Sequence, residues 1–290
     1  MLSKGHGGAD GRCAAGAKRM LGAIIGDVVG SIYEHRAVAN RNFPLLTPAS
    51  TFTDDTVCTI AVADHLLGGA DAAASLRKWG RRYIDAGYGK GFKAWLLKDD
   101  APGYGSSGNG AAMRIAPCAH LCASLDDAMA AARRVTRTTH DHPESLRGAM
   151  AVTAAVRLAF EGAAPAAIRS EIARRYAYPL SQTLDQIRVG FGYDISCAGT
   201  VPPALTAALE ADSFVGAIRN AVALNGDSDT IACIAGAVAE GLFKIPSKLA
   251  EAVMAKLPAD MQDVLARARA ADVLTRRTGV LGRLSQWLRA

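Results

Sequence analysis

The chain has 290 residues, 50% of them hydrophobic, 21% charged and 6% aromatic, with a formal net charge of +6. That is apolar enough to build one large domain or two small ones, and no stretch is long and apolar enough to cross a bilayer. The arginines are scattered through helical segments (Arg133, Arg134, Arg137, Arg169, Arg174 and Arg175). No Lys/Arg block interleaved with aromatics marks a dedicated nucleic-acid surface, so such a partner is possible but unsupported.

Residues 1–18 are Gly-rich, lack the apolar core of a signal peptide and read as a flexible tail. The six cysteines include no C-x-x-C pair, which suits buried thiols in a reducing cytoplasm better than a disulfide framework or a zinc site. From residue 19 to the end a single all-α domain is expected. In the first helix, 21–34, Gly22, Gly26 and Gly30 recur every four residues. Each costs about 1 kcal/mol against Ala, so that face is expected to pack very closely or to approach a ligand. Asp27 and Glu34, two turns apart, share a different face. Helices are expected over 56–67 and over an amphipathic 72–98. The Gly/Ser-rich stretch 101–117 reads as a loop running into a helix start. Further helices are read over 126–140, 144–162, 165–176 and 181–190, punctuated by Pro143, Pro165 and Pro179. A loop over 192–203 then leads into 204–211, followed by helices over 213–224 and 230–243. A basic amphipathic segment, 281–290, reads as a helix docked on the core.

Two acid–hydroxyl clusters each stand before an apolar helix: Thr53-Asp54-Asp55-Thr56 and Asp227-Ser228-Asp229-Thr230. Helix capping explains one side chain at each. It does not explain four carboxylates at two helix mouths. Oxygen ligands without histidine or thiolate suit Mg²⁺ or Mn²⁺, and two such sites sharing a carboxylate can activate a water. Glu34 can complete the set. The loop Gly103–Gly110 exposes backbone N–H groups and enters a helix, as an anion cradle does. His140 and His142 form a His-Asp-His run, but a His-based phosphohydrolase needs more histidine ligands than His35, His65 and His120 supply. His140 is read instead as lining a pocket.

The segments GAIIGDVVGSIYE, FTDDT, GSSGNGAAMRIAP, THDHP, GTVPPAL and NGDSDTIACIAGAVAEG occur in an order and spacing that resembles the ADP-ribosylglycohydrolase family, of the dinitrogenase-reductase-activating type, over residues 19–246. One departure is Asn225, where that family usually has the first Gly of GGDSDT; Asn tolerates a left-handed backbone, which preserves the turn. The resemblance implies a compact multi-helix domain with a binuclear Mg²⁺ or Mn²⁺ cleft. Thr53, Asp54 and Asp55 would bind one metal and Asp227, Asp229 and Thr230 the other, with Glu34 at both the metals and the cleft. Gly105, Ser106, Gly108, Asn109 and Gly110 would wrap a pyrophosphate, backed by Met113 and Arg114. His140 would line the ADP-ribose cleft, Tyr193 would stack on adenine, and Asp27 would join the substrate-binding residues. The implied activity is hydrolysis of the bond between ADP-ribose and a modified macromolecule, with a protein side chain as the expected target. Glu34, Asp54, Asp55 and Asp229 would carry the chemistry, and Glu34 or a metal-site aspartate would act as base. The alternatives are a non-catalytic ADP-ribose-binding module, or a hydrolase acting on ADP-ribosylated nucleic acid or on O-acetyl-ADP-ribose. A monomer is the default expectation.

Overall fold

A computed structural model of the chain describes residues 20–271. The expected N-terminal tail and the expected C-terminal helix, 281–290, lie outside the described residues. The chain runs through α1 (Leu21–Gly30), α2 (Asp54–Leu66), α3 (Ala72–Arg82), α4 (Lys90–Leu96), α5 (Gly110–Met113), α6 (Ala116–Leu121), α7 (Leu125–Arg137) and α8 (Pro143–Phe160). It continues through α9 (Pro165–Tyr176), α10 (Leu184–Arg188), α11 (Cys197–Leu209), α12 (Phe214–Val222), α13 (Ser228–Leu242), α14 (Ser247–Met254) and α15 (Ala259–Ala270). The only β pairing among the described residues is an isolated bridge between Gly108 and Ser196, so the all-α class holds.

Three elements differ from the sequence reading. The segment 72–98 is two helices, broken where Gly87 takes a φ of 104°, a backbone that glycine adopts without steric cost. The helix read over 181–190 shortens to α10, with Thr183 and Gln186 forming a capping box at its start. The stretch 192–203, read as a loop, already becomes helical at Cys197. Ser196 caps that start by accepting from Gly199 N at 3.0 Å, and Pro202 and Pro203 lie inside the helix. Each proline removes one backbone donor. Burial of Cys197, Val201, Leu205 and Ala208 offsets the loss. The sequence reading also passed over α14 and α15, whose buried faces carry Leu249, Ala250 and Val253 in one and Met261, Val264, Leu265 and Ala268 in the other.

The centre of the molecule is the pair α1 and α13. Every residue of α1 is buried, as is α13 from Ser228 to Ala239. A Cβ built on Gly26 would lie 1.9 Å from the Ala232 carbonyl oxygen, and one on Gly22 would lie 2.3 Å from the Gly236 oxygen. One on Gly30 would meet the Asp229 Cα at 2.4 Å. The expected glycine face is therefore a backbone-to-backbone contact, and it aligns the end of α1 with the start of α13.

Around this pair, α8, α11 and α12 pack on α13, while α2 carries α3, α6 and α15. Asp64 of α2 ties three helices together. It accepts from Lys78 Nζ at 2.8 Å and Trp79 Nε1 at 3.0 Å in α3, and from Arg267 Nη2 at 2.6 Å in α15. Burial works against its ionisation, but those donors outweigh it and take its pKa down to about 2. Among the described residues no helix is long and apolar enough to cross a membrane.

Helix propensity alone makes Gly26→Ala stabilising by about 1 kcal/mol. The contact with Ala232 reverses the sign: overpacking a rigid site costs about 1–3 kcal/mol. Urea denaturation of the Gly26→Ala variant is expected to show a loss of that order. Equal or greater stability would mean that the two backbones do not touch there.

Candidate active site

The N-termini of α2 and α13 open onto one cleft of about 360 Å³. Capping at α2 is carried out by residues other than its two aspartates. Thr53 Oγ1 accepts from Asp55 N at 3.3 Å and donates to Asp27 Oδ1 at 2.7 Å. Asp27, reaching across from α1, accepts from Thr53 N at 3.0 Å and Thr56 N at 3.1 Å through Oδ2, which also accepts from the Thr56 hydroxyl. With these donors satisfied, the Asp54 and Asp55 carboxylates are left for another task. At α13 the N-cap is Asp227, whose side chain makes no capping bond; its Oδ2 instead accepts from Asn109 Nδ2 at 2.6 Å.

The acids converge. Glu34, Asp227 and Asp229 each offer an oxygen within 4.8 Å of the others. Asp55 Oδ1 accepts from Thr230 Oγ1 at 3.2 Å, while its other oxygen, Oδ2, is buried and has no hydrogen-bond partner among the described residues. Such an orphan is expensive in a protein interior. Burial, followed by the charge of Asp229, pushes the Asp227 carboxyl up to about 9. The same two causes, with Asp27 added, hold Asp54 and Asp55 well above the ordinary carboxylate range. A set of hard oxygen donors that repel one another, with one buried lone pair unspent, fits a divalent cation of the Mg²⁺ or Mn²⁺ kind.

Above the acids the cleft is walled by Ser106, Gly108, Asn109, Gly110, Met113, Arg114 and His140, with Tyr193 at the rim. Two of the expected site residues do not line it. Asp27 is fully buried beneath the floor, where it anchors the mouth of α2. Gly105 is exposed, with a φ of 63°. The glycine loop is also more committed than its sequence suggests. Its amides at Ser106, Gly108 and Asn109 donate to Thr139 O at 3.3 Å, Ser106 Oγ at 3.1 Å and Ile195 O at 2.8 Å.

The missing side chains of the loop serve to uncover His140. A Cβ on Gly110 would come within 3.1 Å of His140 Nε2, and one on Gly108 within 3.7 Å. On the other edge of the ring, Nδ1 lies 2.7 Å from Thr139 Oγ1 and 3.2 Å from Arg114 Nη2. Arg114 can only donate, and it also donates to Thr139 Oγ1 at 2.7 Å. Nδ1 is therefore an acceptor, and the ring proton sits on Nε2, facing the loop. Burial, reinforced by the Arg114 charge, holds the His140 pKa well below its ordinary value. His142, by contrast, is exposed and caps α8. No histidine joins a carboxylate cluster among the described residues.

Tyr193 is 55% exposed and donates to Glu34 Oε1 at 2.8 Å. The sequence reading missed one wall of the cleft, formed by Ala86, Gly87, Gly89, Lys90, Gly91 and Phe92. Asp54 N donates to Ala86 O at 2.7 Å, which fixes that wall beside the acids. The signal was present: AGYGKGF has the same glycine-rich entry into a helix as GYGSSGNG. Tyr104, Cys58 and Ile195 were missed as well.

The chain belongs to the ADP-ribosylglycohydrolase family, whose model matches residues 15–280. Among particular relatives, the ADP-ribosylhydrolase ARH3 of Bos taurus is 29% identical over 205 residues, 56% of this chain and 54% of that protein. The human ADP-ribosylhydrolase ARH3 is 26% identical over 304 residues, 77% of this chain and 84% of that one. The match thus spans about half the length of the cattle protein and most of the human one. A solved ADP-ribosylglycohydrolase-related protein complex superposes with a TM-score of 0.67 at 27% identity, covering 88% of this chain and 96% of that one.

The His140 geometry sets an expectation for nuclear magnetic resonance. The ring should stay neutral from pH 8 down to 6, with nitrogen shifts of the Nε2–H form. A ring that protonates near pH 6.5, or that carries its proton on Nδ1, would contradict the Arg114–Thr139–His140 arrangement.

Proposed function

We propose that the protein is a metal-dependent hydrolase that cleaves the glycosidic bond between ADP-ribose and a modified macromolecule, a protein side chain in the first instance, releasing ADP-ribose. The observation that carries this reading is the convergence of Asp54, Asp55, Asp227, Asp229 and Glu34 at the floor of one cleft, with Asp55 Oδ2 buried and unpaired among the described residues. Family membership supports it independently.

Thr53, Asp54 and Asp55 would hold one Mg²⁺ or Mn²⁺, and Asp227, Asp229 and Thr230 a second, with Glu34 beside both. Such ions supply Lewis-acid polarisation and a water of lowered pKa. The chain's own residues do the rest. The His140 Nε2–H donates to a ligand oxygen lying along Gly108–Gly110, which suits a pyrophosphate. The open backbone at 108 and 110 lets that ligand approach. Asn109 fixes Asp227 and so couples the loop to the metal floor. Positive charge developing at the ribose carbon is stabilised by the carboxylates beneath it. Glu34 or an aspartate of the floor takes the proton from the attacking water. Tyr193 at the rim has the exposed ring needed to stack on a base.

The test is release of free ADP-ribose from arginine-linked, serine-linked, poly(ADP-ribose), O-acetyl and DNA-linked substrates, each with Mg²⁺, Mn²⁺ or EDTA. Metal-dependent release from at least one is expected, lost by about 10²-fold or more when Asp54 and Asp55 are both changed to Ala. Full activity in that variant would disprove the metal mechanism. Tight ADP-ribose binding without turnover of any linkage would instead make the protein a binding module.

A further inference from the structure

Glu34 is the one acid of the cluster that lies outside a helix mouth. It follows the end of α1, on the turn that begins at Ser31, and the chain beyond it is irregular as far as Asp54. Something must hold it within reach of Asp227 and Asp229, because small divalent cations demand close control of ligand position.

The turn that enters α13 supplies that control. Asn225 Oδ1 accepts from Val38 N at 2.6 Å, and its Nδ2 donates to Val38 O at 3.1 Å. One side-chain amide thus takes both backbone groups of a residue 187 positions away. Three residues on, the fully buried Ser228 hydroxyl lies between two acceptors, Tyr33 O at 3.3 Å and Gly226 O at 3.2 Å, and its one proton is shared between them. The two grips bracket the segment 33–38, and Glu34 sits between them. The same short turn therefore carries Asp227 and Asp229 and also holds the segment that brings in Glu34. The side-chain contacts of Glu34 itself are to Tyr193 at 2.8 Å and His35 at 3.8 Å, both of them exposed.

Asn225 is left-handed, with a φ of 61°. Glycine would take that backbone more readily, so the turn alone does not call for asparagine. The amide grip on Val38 does. We propose that Asn225 is a positioning residue for the metal site, setting Glu34 against Asp227 and Asp229 through Val38. This rests on reading the carboxylates as a metal site.

The experiment is calorimetric titration with Mn²⁺ alone, on the full chain, of wild type, Asn225→Gly, Glu34→Ala and the double variant. Glycine fits the turn, so Asn225→Gly should fold, and a melt in EDTA checks that it does. Outer-shell changes typically cost 10–100-fold in metal affinity, and Asn225→Gly is expected to weaken Mn²⁺ binding about tenfold. In the Glu34→Ala background the same change should add less than about twofold, since the effect passes through Glu34. Wild-type affinity in Asn225→Gly would overturn the proposal. So would an equal loss in both backgrounds, which would place the effect on Asp227 instead. If wild type itself bound no Mn²⁺, the metal reading would fall first and this proposal with it.

Discussion

The structure depends on one close contact: α1 lying bare backbone to backbone against α13. Because Gly22, Gly26 and Gly30 present no side chains, the two axes approach until carbonyl oxygens of one helix occupy the space where the Cβ atoms of the other would be. That fixes the register of α1 against the start of α13. Asp27 then stands where it can cap α2, and Glu34 emerges beside Asp227 and Asp229. A single contact places both acid clusters. A side chain anywhere on that glycine face would therefore act on the cleft as well as on stability.

The acids explain one another through charge. A lone aspartate at a helix mouth is a cap and gains a few tenths of a kcal/mol to about 1 kcal/mol from the dipole. Here the capping is done by Thr53 and Asp27, and the remaining carboxylates face each other across a buried floor. Burial and the charges of neighbouring acids drive Asp54, Asp55 and Asp227 toward the protonated form. A cation bound among them would offset both penalties. The opposite wall is built on the reverse logic. There burial, reinforced by the Arg114 charge, keeps His140 neutral, and Arg114, itself buried and without a carboxylate partner among the described residues, turns the ring proton toward the cleft.

Much of this could be read in the sequence, and the parts that could not have physical reasons. Helices with side-chain caps or an initial proline, such as those starting near Pro143, Pro165 and Ser213, were legible because their end signals are local. The glycine face was legible because a cost repeated three times requires a compensating contact. The acid clusters were legible because capping needs fewer groups than they contain. By contrast, α11 was obscured by Pro202 and Pro203, which break isolated helices but are tolerated inside a packed one. The task of Asp27 depends on a partner 26 and 29 residues away, and the commitment of the loop amides depends on Thr139 and Ile195. No local pattern encodes those pairings. The wall at 86–92 was missed although its glycines resemble those of the loop that was found.

The central claim is that this floor of carboxylates is completed by divalent cations. The most direct measurement is the melting temperature from pH 5 to 9 in EDTA and in Mn²⁺. Asp27 and Asp227, raised from an ordinary value of 3.8 to about 7 and about 9, hold protons in the folded state that the unfolded chain has already lost. Stability in EDTA should therefore fall as pH rises through that window. Mn²⁺ should raise the melting temperature, and by more at pH 8 than at pH 5, because protons compete with the ion for the same oxygens. Parallel curves, with no separation between EDTA and Mn²⁺ at any pH, would contradict the account.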